Sequence, residues 1–409
     1  MKNLSERLLE FNKGRVPAPL DYKYQCMRAD LFNFYRATCH VFYEDLAKET
    51  DFPSGPDTWI CGDLHLENFG SFKGENRLVY FDMNDFDDAL MAPATWELVR
   101  MVTSIFVAFT SLNIGKEKAI HMAKLFLKSY TATLQSRKAH YIEAKTATGI
   151  VKDFLDIVAS RNRKTILEKR TVNNKKIDSD HPKHITLSKT LRKELKQHLG
   201  NWLKRDDKSP YNYKILDVVF RLSGTSSLGL NRYSVLLKSI NENGSKFMLL
   251  DMKEAVPSSL QPFAKNKQPV WINDAERVLF IQQLMQNHSP ALLSTTHFKG
   301  KDYIMQELQP AKDNINFKLL KKQYRDMCLV IDNMGMLTAA SQLRSAGHRG
   351  SDDAEELVVF GNKNNWQEPI INYAQNYSAV IENYYEQFKK DYKRGVFRQR
   401  SKRPKISAA

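Results

Sequence analysis

The spacing of apolar residues predicts helix-rich ends and a strand-rich middle. Apolar side chains recur on one face over 29–48, and a longer apolar stretch predicts a helix over 96–130 with an interruption near 113–115. Further helices are predicted by the same criterion over 191–203, 274–286 and 319–345. A polar stretch at 173–184 has no such periodicity, so we expect a loop or linker there.

Short apolar runs separated by turn residues predict the strands. The runs 58–61 and 78–81 suit buried strands, and Gly74-Glu75-Asn76 before the second run indicates a hairpin. Three longer strand-like runs follow at 215–222, 233–240 and 246–253, and a further one at 302–308. The dipeptide Asn243-Gly244 is a strong hairpin signal, so 215–253 is predicted to be a three-stranded antiparallel meander.

Composition adds limits on the class of protein. The 409 residues are 42% hydrophobic and 26% charged, which is enough to bury a core in two or three folding units. No apolar run approaches the ~20 residues that span a bilayer, and the N-terminal residues lack a secretory pattern. The four cysteines form no Cys-x-x-Cys pair, so a reducing, cytoplasmic location without a membrane span is expected.

The net charge of +16 is concentrated in two segments, 161–208 and 389–405. A basic surface attracts polyanions such as nucleic acid or acidic protein, so weak polyanion binding is one interpretation. The other is a solvated surface with a basic tail. Aromatic residues do not alternate with these charges, so stacking on single-stranded nucleic acid is not indicated.

The densest chemical signal is the segment 61–70, Cys-Gly-Asp-Leu-His-Leu-Glu-Asn-Phe-Gly, together with an acidic run at 82–88. Asp63 and Asn68 have the spacing of a phosphotransferase catalytic loop, in which the aspartate positions or deprotonates the acceptor hydroxyl and the asparagine holds a metal ion. The clustered carboxylates of the acidic run repel one another, and binding of divalent cations relieves that repulsion. The predicted metal ligands are Asn68, Asp82, Asp85 and Asp87, with the choice between Asp82 and Asp85 open.

These motifs resemble the aminoglycoside phosphotransferase and choline kinase superfamily, which has a protein-kinase-like fold. The chain is more closely similar to the bacterial domain-of-unknown-function family 2252, through an aromatic–Arg helix at 32–36, the stretch 61–70, Phe-Asp-x-Asn-Asp-Phe-Asp at 81–87 and Pro-x-x-Trp-Glu-Leu at 93–98. The resemblance covers 23–345 and implies a fold and a site, but not a reaction. Where the family has His-Ala-Arg-Ser, this chain has Gln342-Leu343-Arg344-Ser345, so any role of the family histidine is lost or changed here.

A rival interpretation is a binuclear metallophosphoesterase, since such enzymes also begin with a strand and Gly-Asp-x-His. They need a following Gly-Asp-x-x-Asp-Arg and a Gly-Asn-His segment to complete two metal sites. Neither occurs in the sequence, because Gly361-Asn362 is followed by Lys363. The phosphotransferase interpretation is therefore preferred.

The nucleotide-binding elements are predicted late in the chain, because no sheet can precede residue 63. The Ser/Gly turn 223–229 lies between two predicted strands, where small residues let backbone amides approach phosphate oxygens. Lys253 ends the third strand and resembles the lysine that contacts nucleotide phosphates, with Glu276 on the next helix as its partner. The connection 306–308 is expected to meet adenine. The predicted cofactor-binding residues are Lys253, Glu276, Gly224, Ser226, Ser227, Gly229 and His65.

The predicted fold class is α+β, a two-lobed protein-kinase-like fold that is circularly permuted, with a small antiparallel sheet lobe and a large helical lobe. Residues 1–210 would form the helical lobe with the catalytic-type loop and metal-binding hairpin. Residues 211–310 would form the nucleotide-covering lobe, and 311–409 the remaining helices and the basic tail. The sheet and the acidic loop must then meet at one nucleotide, so Lys253 is expected to point toward the Asp63–Asp85 cluster.

Three functions are compatible with this site. The first is an ATP- and Mg²⁺-dependent phosphotransferase acting on an unidentified small-molecule or protein hydroxyl. The second is transfer of AMP to a protein hydroxyl, which basic residues deep in the pocket would favour, although the sequence does not place Arg36 or Arg100 there. The third is a non-catalytic pseudokinase that binds polyanions through its basic segments.

Overall fold

The computed structural model describes residues 2–205, 210, 212–241, 247–309 and 313–398. Within these ranges the protein is a mixed α+β chain with antiparallel sheets. The predicted turn Asn243-Gly244 and the tail beyond residue 398 lie outside the described residues.

The helices fall into three groups along the chain. The first group, before the acidic run, is α1 (Leu4–Phe11), α2 (Pro17–Ala29), α3 (Leu31–Ala37) and α4 (Cys39–Leu46). The second group is α5 (Ala94–Ser111), α6 (Lys116–Ser136), α7 (Gly149–Ser160), α8 (Arg163–Arg170) and α9 (Lys189–Arg205). The last group is α10 (Asp274–Met285), α11 (Phe317–Leu320), α12 (Tyr324–Ser345), α13 (Ala354–Gly361) and α14 (Gln367–Lys393).

The strands form two larger sheets and two short pairs. The N-terminal strands are β1 (Asp57–Ile60), β2 (Phe69–Lys73), β3 (Val79–Met83), β4 (Leu90–Pro93) and β5 (Ile142–Glu143). The short strands of the middle region are β6 (Thr171–Val172), β7 (Lys176–Ile177) and β8 (His184–Ile185). The later strands are β9 (Tyr213–Arg221), β10 (Arg232–Ser239), β11 (Phe247–Ala255), β12 (Ser294–Phe298), β13 (Lys301–Glu307) and β14 (Asp313–Asn314).

The larger sheet contains the predicted meander. Its strand order is β12-β13-β11-β10-β9-β8, and every neighbouring pair is antiparallel. The alternation of side chains along a strand gives this sheet two apolar faces. One face packs against α9 through Leu195 and Leu199, and the other covers Leu167 of α8 and Ile177 of β7.

The second sheet, β14-β2-β3-β5, holds the predicted hairpin. Its turn is closed by hydrogen bonds from Gly74 N to Leu78 O and from Arg77 N to Gly74 O. The strand β1 instead pairs with β4, so the acidic run between β3 and β4 is fixed at both ends. The largest apolar core surrounds this region and is built from the helices on either side of the acidic run.

Most predicted elements are present, with differences that have local causes. The segment 29–48 is two helices rather than one, because the Thr38 hydroxyl bonds the carbonyls of Phe34 and Tyr35 and the backbone leaves helical geometry there. The predicted linker 173–184 is not a plain loop. Ile177 is buried, and its backbone amide donates to the Asp217 carboxylate at 2.9 Å.

Two further observations concern the whole chain. In the described residues no helix is both long enough and apolar enough to cross a bilayer. The four cysteines are all free thiols. The division of the chain at residues 210 and 310 stays a prediction.

The closest approach between α6 and α12 generates a stability prediction. A Cβ at Gly335 would lie 2.4 Å from Phe126 O, whereas Gly200 in α9 has no heavy atom within 4 Å of that position. We expect Gly335→Ala to lower the free energy of unfolding by about 1–3 kcal/mol through overpacking. The matched control Gly200→Ala should raise it by about 0.5–1 kcal/mol through the alanine helix propensity.

Urea denaturation of both variants provides the measurement. Equal stability of the two variants would contradict the close packing of α6 on α12.

Candidate functional site

Asp63 lies immediately after β1 and is held by a buried arginine. The Nε and Nη2 of Arg100 donate to Asp63 Oδ1 at 3.1 and 2.8 Å. Arg100 has no exposed surface, and its guanidinium lies 3.7 Å from the centre of the Tyr35 ring. Burial raises the pKa of Asp63, as does the nearby Asp88 carboxylate, while Arg100 opposes that rise. Arg100 thus fixes the direction of Asp63 Oδ1, while the pKa of the carboxyl stays above its usual value.

The turn before Asp63 requires glycine. Gly62 has a φ of +84°, and a Cβ there would lie 2.3 Å from Asp88 O. This close approach brings the loop that carries Asp63 against the end of the acidic run.

Glu97 of α5 also holds the loop that carries Asp63. Its carboxylate accepts a hydrogen bond from Cys61 N at 2.7 Å and one from Gln342 Nε2 at 3.3 Å. Both side chains are fully buried, and burial raises the pKa of Glu97 to about 7. Gln342 therefore supports the loop from inside the core.

Asn68 joins the catalytic-type loop to the acidic run. Its Nδ2 donates to Asp63 O at 3.1 Å, and its Oδ1 accepts from Asp85 N at 2.9 Å. A backbone bond from Asn84 N to Asn68 O, at 2.8 Å, completes the junction. The pair of motifs identified in the sequence is therefore one hydrogen-bonded unit.

His65 is buried beside a guanidinium rather than facing open solvent. Arg36 Nε lies 3.2 Å from His65 Nε2, and Glu67 N donates to His65 Nδ1 at 3.1 Å. Burial lowers the pKa of His65 well below its usual value, and Arg36 lowers it further. Because both imidazole nitrogens have hydrogen-bond partners, His65 orients Arg36 and the loop, and it also lines the cleft described below.

The carboxylates of the acidic run have different partners. Lys253 Nζ lies 3.2 Å from Asp85 Oδ1 and also pairs with Asp87. Burial lowers the pKa of Lys253, but Asp85 and Asp87 more than offset this, so the pKa lies above its usual value. Asp87 has a pKa raised to about 6 by burial and by Asp85. The expectation that Lys253 points toward the acidic cluster is met by these contacts.

Asp82 points away from this group. It is 3% exposed, its carboxylate lies 3.7 Å from Arg344 Nη2, and burial raises its pKa to about 6. Asp82 does not line the cleft described below, whereas Asp85 does, with 53% of its side chain exposed. Of the two alternatives, the geometry therefore favours Asp85. The prediction that Asp82 shares the metal site does not agree with this placement, because Asp82 lies within β3 and faces Arg344, whereas Asp85 lies in the loop after that strand.

The Ser/Gly turn between β9 and β10 faces two different cavities. Ser223 and Gly224 line the cleft with Lys253, whereas Ser226 and Ser227 line a neighbouring cavity of about 310 Å³. The far part of the turn is fixed by the N-terminal segment: Arg15 Nη1 donates to Ser226 O and Leu228 O, both at 2.8 Å, and the buried Lys23 donates to Ser226 O at 3.0 Å.

Gly229 belongs to this fixed part of the turn and not to the cleft. A Cβ at Gly229 would meet Arg15 Cβ at 2.8 Å. The prediction that all four small residues cover one ligand is therefore correct in placement only for Gly224. Ser226 and Gly229 instead pack against Arg15, and the Ser227 hydroxyl donates to Ser223 O at 3.4 Å within the turn.

Between the sheet and the acidic run lies a cleft of about 220 Å³. Its walls come from the loop 65–68, the run 84–87, the turn 223–224, α10 and β13. The lining side chains that carry charge or a hydrogen-bonding group include Arg36, Asn68, Asp85, Asp87, Arg232, Lys253 and Gln306. Charged residues more than 160 positions apart in sequence, such as Asp85 and Lys253, therefore meet in one cavity.

Glu276 is not paired with Lys253 in this structure, contrary to the sequence prediction. It accepts a hydrogen bond from Thr295 Oγ1 at 3.0 Å, while Lys253 is engaged by the two aspartates. The strand β12, which the sequence analysis missed, supplies Thr295 and so provides the competing partner. Within the segment predicted to meet adenine, Gln306 lines the cleft. Glu307 is buried and forms ion pairs with Arg77 and Arg163.

Two groups of side chains could hold a cation. Asn68, Asp85 and Asp87 offer hard oxygen ligands beside the cleft, which is the donor set that Mg²⁺ prefers. Cys39, Asp63 and Asp88 also lie within 4.8 Å of one another. The second group is a poorer fit to Mg²⁺, because it contains a thiol and Arg100 already occupies one Asp63 oxygen.

Comparison with known proteins identifies the family. Residues 15–391 match the family model described as "Uncharacterized protein conserved in bacteria (DUF2252)". The chain is a member of the DUF2252 family. No match was found among curated proteins or among solved structures.

The matched region of this DUF2252 protein contains every wall of the cleft. Sequence reasoning missed the importance of Arg100 and of the pair Arg232–Asp251 in the sheet. A signal existed for Arg100, because Glu97 and Arg100 are the two charged residues in the otherwise apolar helix α5. No comparable signal marked Arg232, since its partner Asp251 is brought to it only by strand pairing.

The buried carboxyl of Glu97 generates a prediction about pH. With a folded pKa near 7 and an unfolded pKa near 4.5, the folded chain binds the extra proton between these values, so stability falls as pH rises through them. Glu97→Gln mimics the protonated form. We expect it to match the wild type near pH 5 and to exceed it by up to about 3 kcal/mol at pH 8.

Urea denaturation at both pH values provides the measurement, with the exposed Glu117→Gln as the matched control. A Glu97→Gln stability difference that is the same at pH 5 and pH 8 would show that the carboxyl is ionised in the folded chain throughout.

Proposed function

We propose that this DUF2252 protein is an ATP- and Mg²⁺-dependent phosphotransferase that modifies a hydroxyl group, with a circularly permuted, kinase-like arrangement of its site. The observation that carries the proposal is the cleft in which Lys253 of β11 reaches Asp85, 168 positions earlier in the chain. The cleft holds a lysine on a sheet and an acidic metal-type cluster, and the catalytic-type Asp63 is linked to that cluster through Asn68. These are the parts that phosphoryl transfer requires.

The proposed roles follow from the contacts of each group. Lys253 would exchange its bonds to Asp85 and Asp87 for the phosphates of a bound nucleotide, while Ser223 and Gly224 cover them. Asn68, Asp85 and Asp87 would hold Mg²⁺, which when bound neutralises phosphate charge. The release of Lys253 from the aspartates leaves the carboxylates free at the moment the cation arrives.

Asp63 would orient the acceptor hydroxyl and accept its proton. The pKa of Asp63 is raised by burial, which makes the carboxylate a better base, and Arg100 fixes its orientation. The neighbouring cavity is lined by Asp87, Asp88 and Ser226. It lies at the C-terminal end of the acidic run and offers room for an acceptor.

Transfer of AMP instead of phosphate is the second candidate. It requires the nucleotide to lie in the reverse direction, with cationic groups at the end of the cleft where adenine would otherwise sit. Arg232 lines the cleft on that side, beside the sheet, and favours this alternative. Arg100, by contrast, is sealed beneath Asp63 and supports neither direction.

Nucleotide binding gives the first test of the proposal. Titration calorimetry of the wild-type protein with ATP should show binding that requires Mg²⁺, and Lys253→Met should weaken it about 10–100-fold because a phosphate partner is lost. Lys238→Met, an exposed lysine on the neighbouring strand β10, is the matched control and should bind as the wild type does. Metal-independent binding, or binding unaffected by Lys253→Met, would favour a non-catalytic polyanion-binding protein.

The second test separates chemistry from binding. Asp63→Asn keeps an acceptor for Arg100 but removes the base, so turnover of ATP across a panel of hydroxyl acceptors should fall about 10²–10⁴-fold while Mg-ATP affinity changes little. Asp156→Asn on the exposed face of α7 serves as control.

Mass spectrometry of the modified acceptor then distinguishes the two reactions. An increase of about 80 Da per site indicates phosphoryl transfer, and about 329 Da indicates adenylyl transfer. Wild-type turnover by Asp63→Asn would refute the assigned role of Asp63.

A further inference from the structure

Four cationic side chains gather beside the sheet, next to the cleft but outside the phosphotransfer roles assigned above. They are Arg170, at the end of α8, Lys183, Arg221 of β9 and Arg232 of β10. The backbone fixes their proximity: His184 pairs with Arg221 in the ladder of β8 and β9, and Leu222 N donates to Lys183 O at 2.8 Å. The helix α8 packs against β11, which places Arg170 on the same side of the sheet.

One buried carboxylate, Asp251, faces this group. Arg221 Nη1 lies 2.7 Å from Asp251 Oδ1, and Arg232 Nε lies 2.9 Å from the same oxygen. The two guanidinium groups hold the pKa of Asp251 far below its usual range, although burial opposes this. Asp251 is thus fully used by Arg221 and Arg232. Arg232 also lies near Asp85 and Asp87 of the cleft, so the excess of positive charge falls on Arg170, Lys183 and Arg221.

Two buried guanidinium nitrogens in this group have no hydrogen-bond partner within the described residues. They are Nε of Arg221 and Nη1 of Arg170. Arg221 is only 9% exposed. Because an unsatisfied buried donor is destabilising, these two donors together with the excess of positive charge indicate a missing anionic partner.

The mutual repulsion of the cations supports the same conclusion. Burial lowers the pKa of Lys183, and Arg170, Arg221 and Arg232 lower it further. The pKa of Arg221 is lowered to about 10, by burial first and then by its cationic neighbours, although Asp251 opposes this. Such destabilised cations regain free energy when an anion binds between them.

The group is continuous with the cleft through Arg232. Arg232 lines the cleft, pairs with Lys253 across the ladder of β10 and β11, and lies 3.4 Å from Ser223 O through its Nη1. Asp251 precedes Lys253 by two positions and therefore points to the same side of β11. A ligand in the cleft can consequently reach the cations through Arg232.

We propose that Arg170, Lys183, Arg221 and Arg232 form a second anion-binding site, which takes a phosphate-type group with two or more negative charges. The group is part of the polyphosphate chain of the cleft-bound nucleotide, or a free inorganic polyphosphate that binds alongside it. The first source rests on the proposed function, since it requires a nucleotide in the cleft. With its terminal phosphates at Arg232, that nucleotide would lie in the reverse direction, which is the arrangement of the AMP-transfer candidate.

Inorganic pyrophosphate is the probe that tests the site without a nucleotide. Calorimetric titration of the full chain should show pyrophosphate binding, and Arg170→Gln should weaken it by about tenfold or more. The same loss is expected for Lys183→Gln, which is an exposed side chain whose replacement does not disturb the core. Lys176→Gln, an exposed lysine on the adjacent strand β7, is the matched control and should bind pyrophosphate as the wild type does.

A competition experiment then identifies the source of the phosphate. If pyrophosphate and Mg-ATP exclude one another, and both Arg170→Gln and Lys183→Gln weaken ATP but not adenosine, the nucleotide supplies the group. If both ligands bind at once, the group is a free anion. Absence of pyrophosphate binding to the wild type at millimolar concentration, or unchanged binding in Arg170→Gln and Lys183→Gln, would overturn the site. The pyrophosphate titration needs no nucleotide. Its result therefore tests the anion site separately from the proposed ATP reaction.

Discussion

Electrostatic repulsion among four carboxylates is the constraint on which this structure depends. The aspartates at 63, 85, 87 and 88 are brought together by two short motifs, and a bare cluster of this kind would not stay closed. The chain supplies a partner for each: Arg100 for Asp63, Lys253 for both Asp85 and Asp87, and the backbone amide of Ser259 for Asp88. Asp82, which points away from this cluster, faces Arg344. The partners come from α5, α12, β11 and the segment after β11, so the site exists only when the whole chain is folded.

The distribution of these partners separates structural from ligand-binding carboxylates. Asp63 and Asp82 face arginines that are buried or nearly so, and a guanidinium stays charged in such places and holds a fixed geometry. Asp85 and Asp87 face a flexible lysine at the cleft, whose ammonium can move to a phosphate when a ligand arrives. The same logic extends to the cations beside the sheet, where Asp251 leaves an excess of positive charge. The cleft thus has an acidic wall and a basic wall, an arrangement suited to a metal–polyphosphate ligand.

The sequence predicted the elements well where periodicity or turn chemistry was strong. The hairpin before Asp82, the interruption of the long helix near Asn113 and the three-strand meander are present. The motifs also identified Asn68 and Asp85 as neighbours. What the sequence did not contain was tertiary pairing: the strands at 69–73 and 294–298, the split use of the Ser/Gly turn and the engagement of Glu276 by Thr295 depend on contacts between distant segments. Which segments pair is decided by the packing of the whole chain, and that pairing sets which side chains meet.

The central claim is that the cleft between Lys253 and the acidic run binds a metal–nucleotide complex. Anomalous diffraction at the manganese edge, from crystals grown with Mn²⁺ and a non-hydrolysable ATP analogue, tests it most directly. The account predicts a manganese peak within coordination distance, about 2.2 Å, of oxygens of Asn68 and Asp85, with Lys253 moved from the aspartates to a phosphate. Manganese and nucleotide bound elsewhere, with Lys253 still on Asp85 and Asp87, would contradict it.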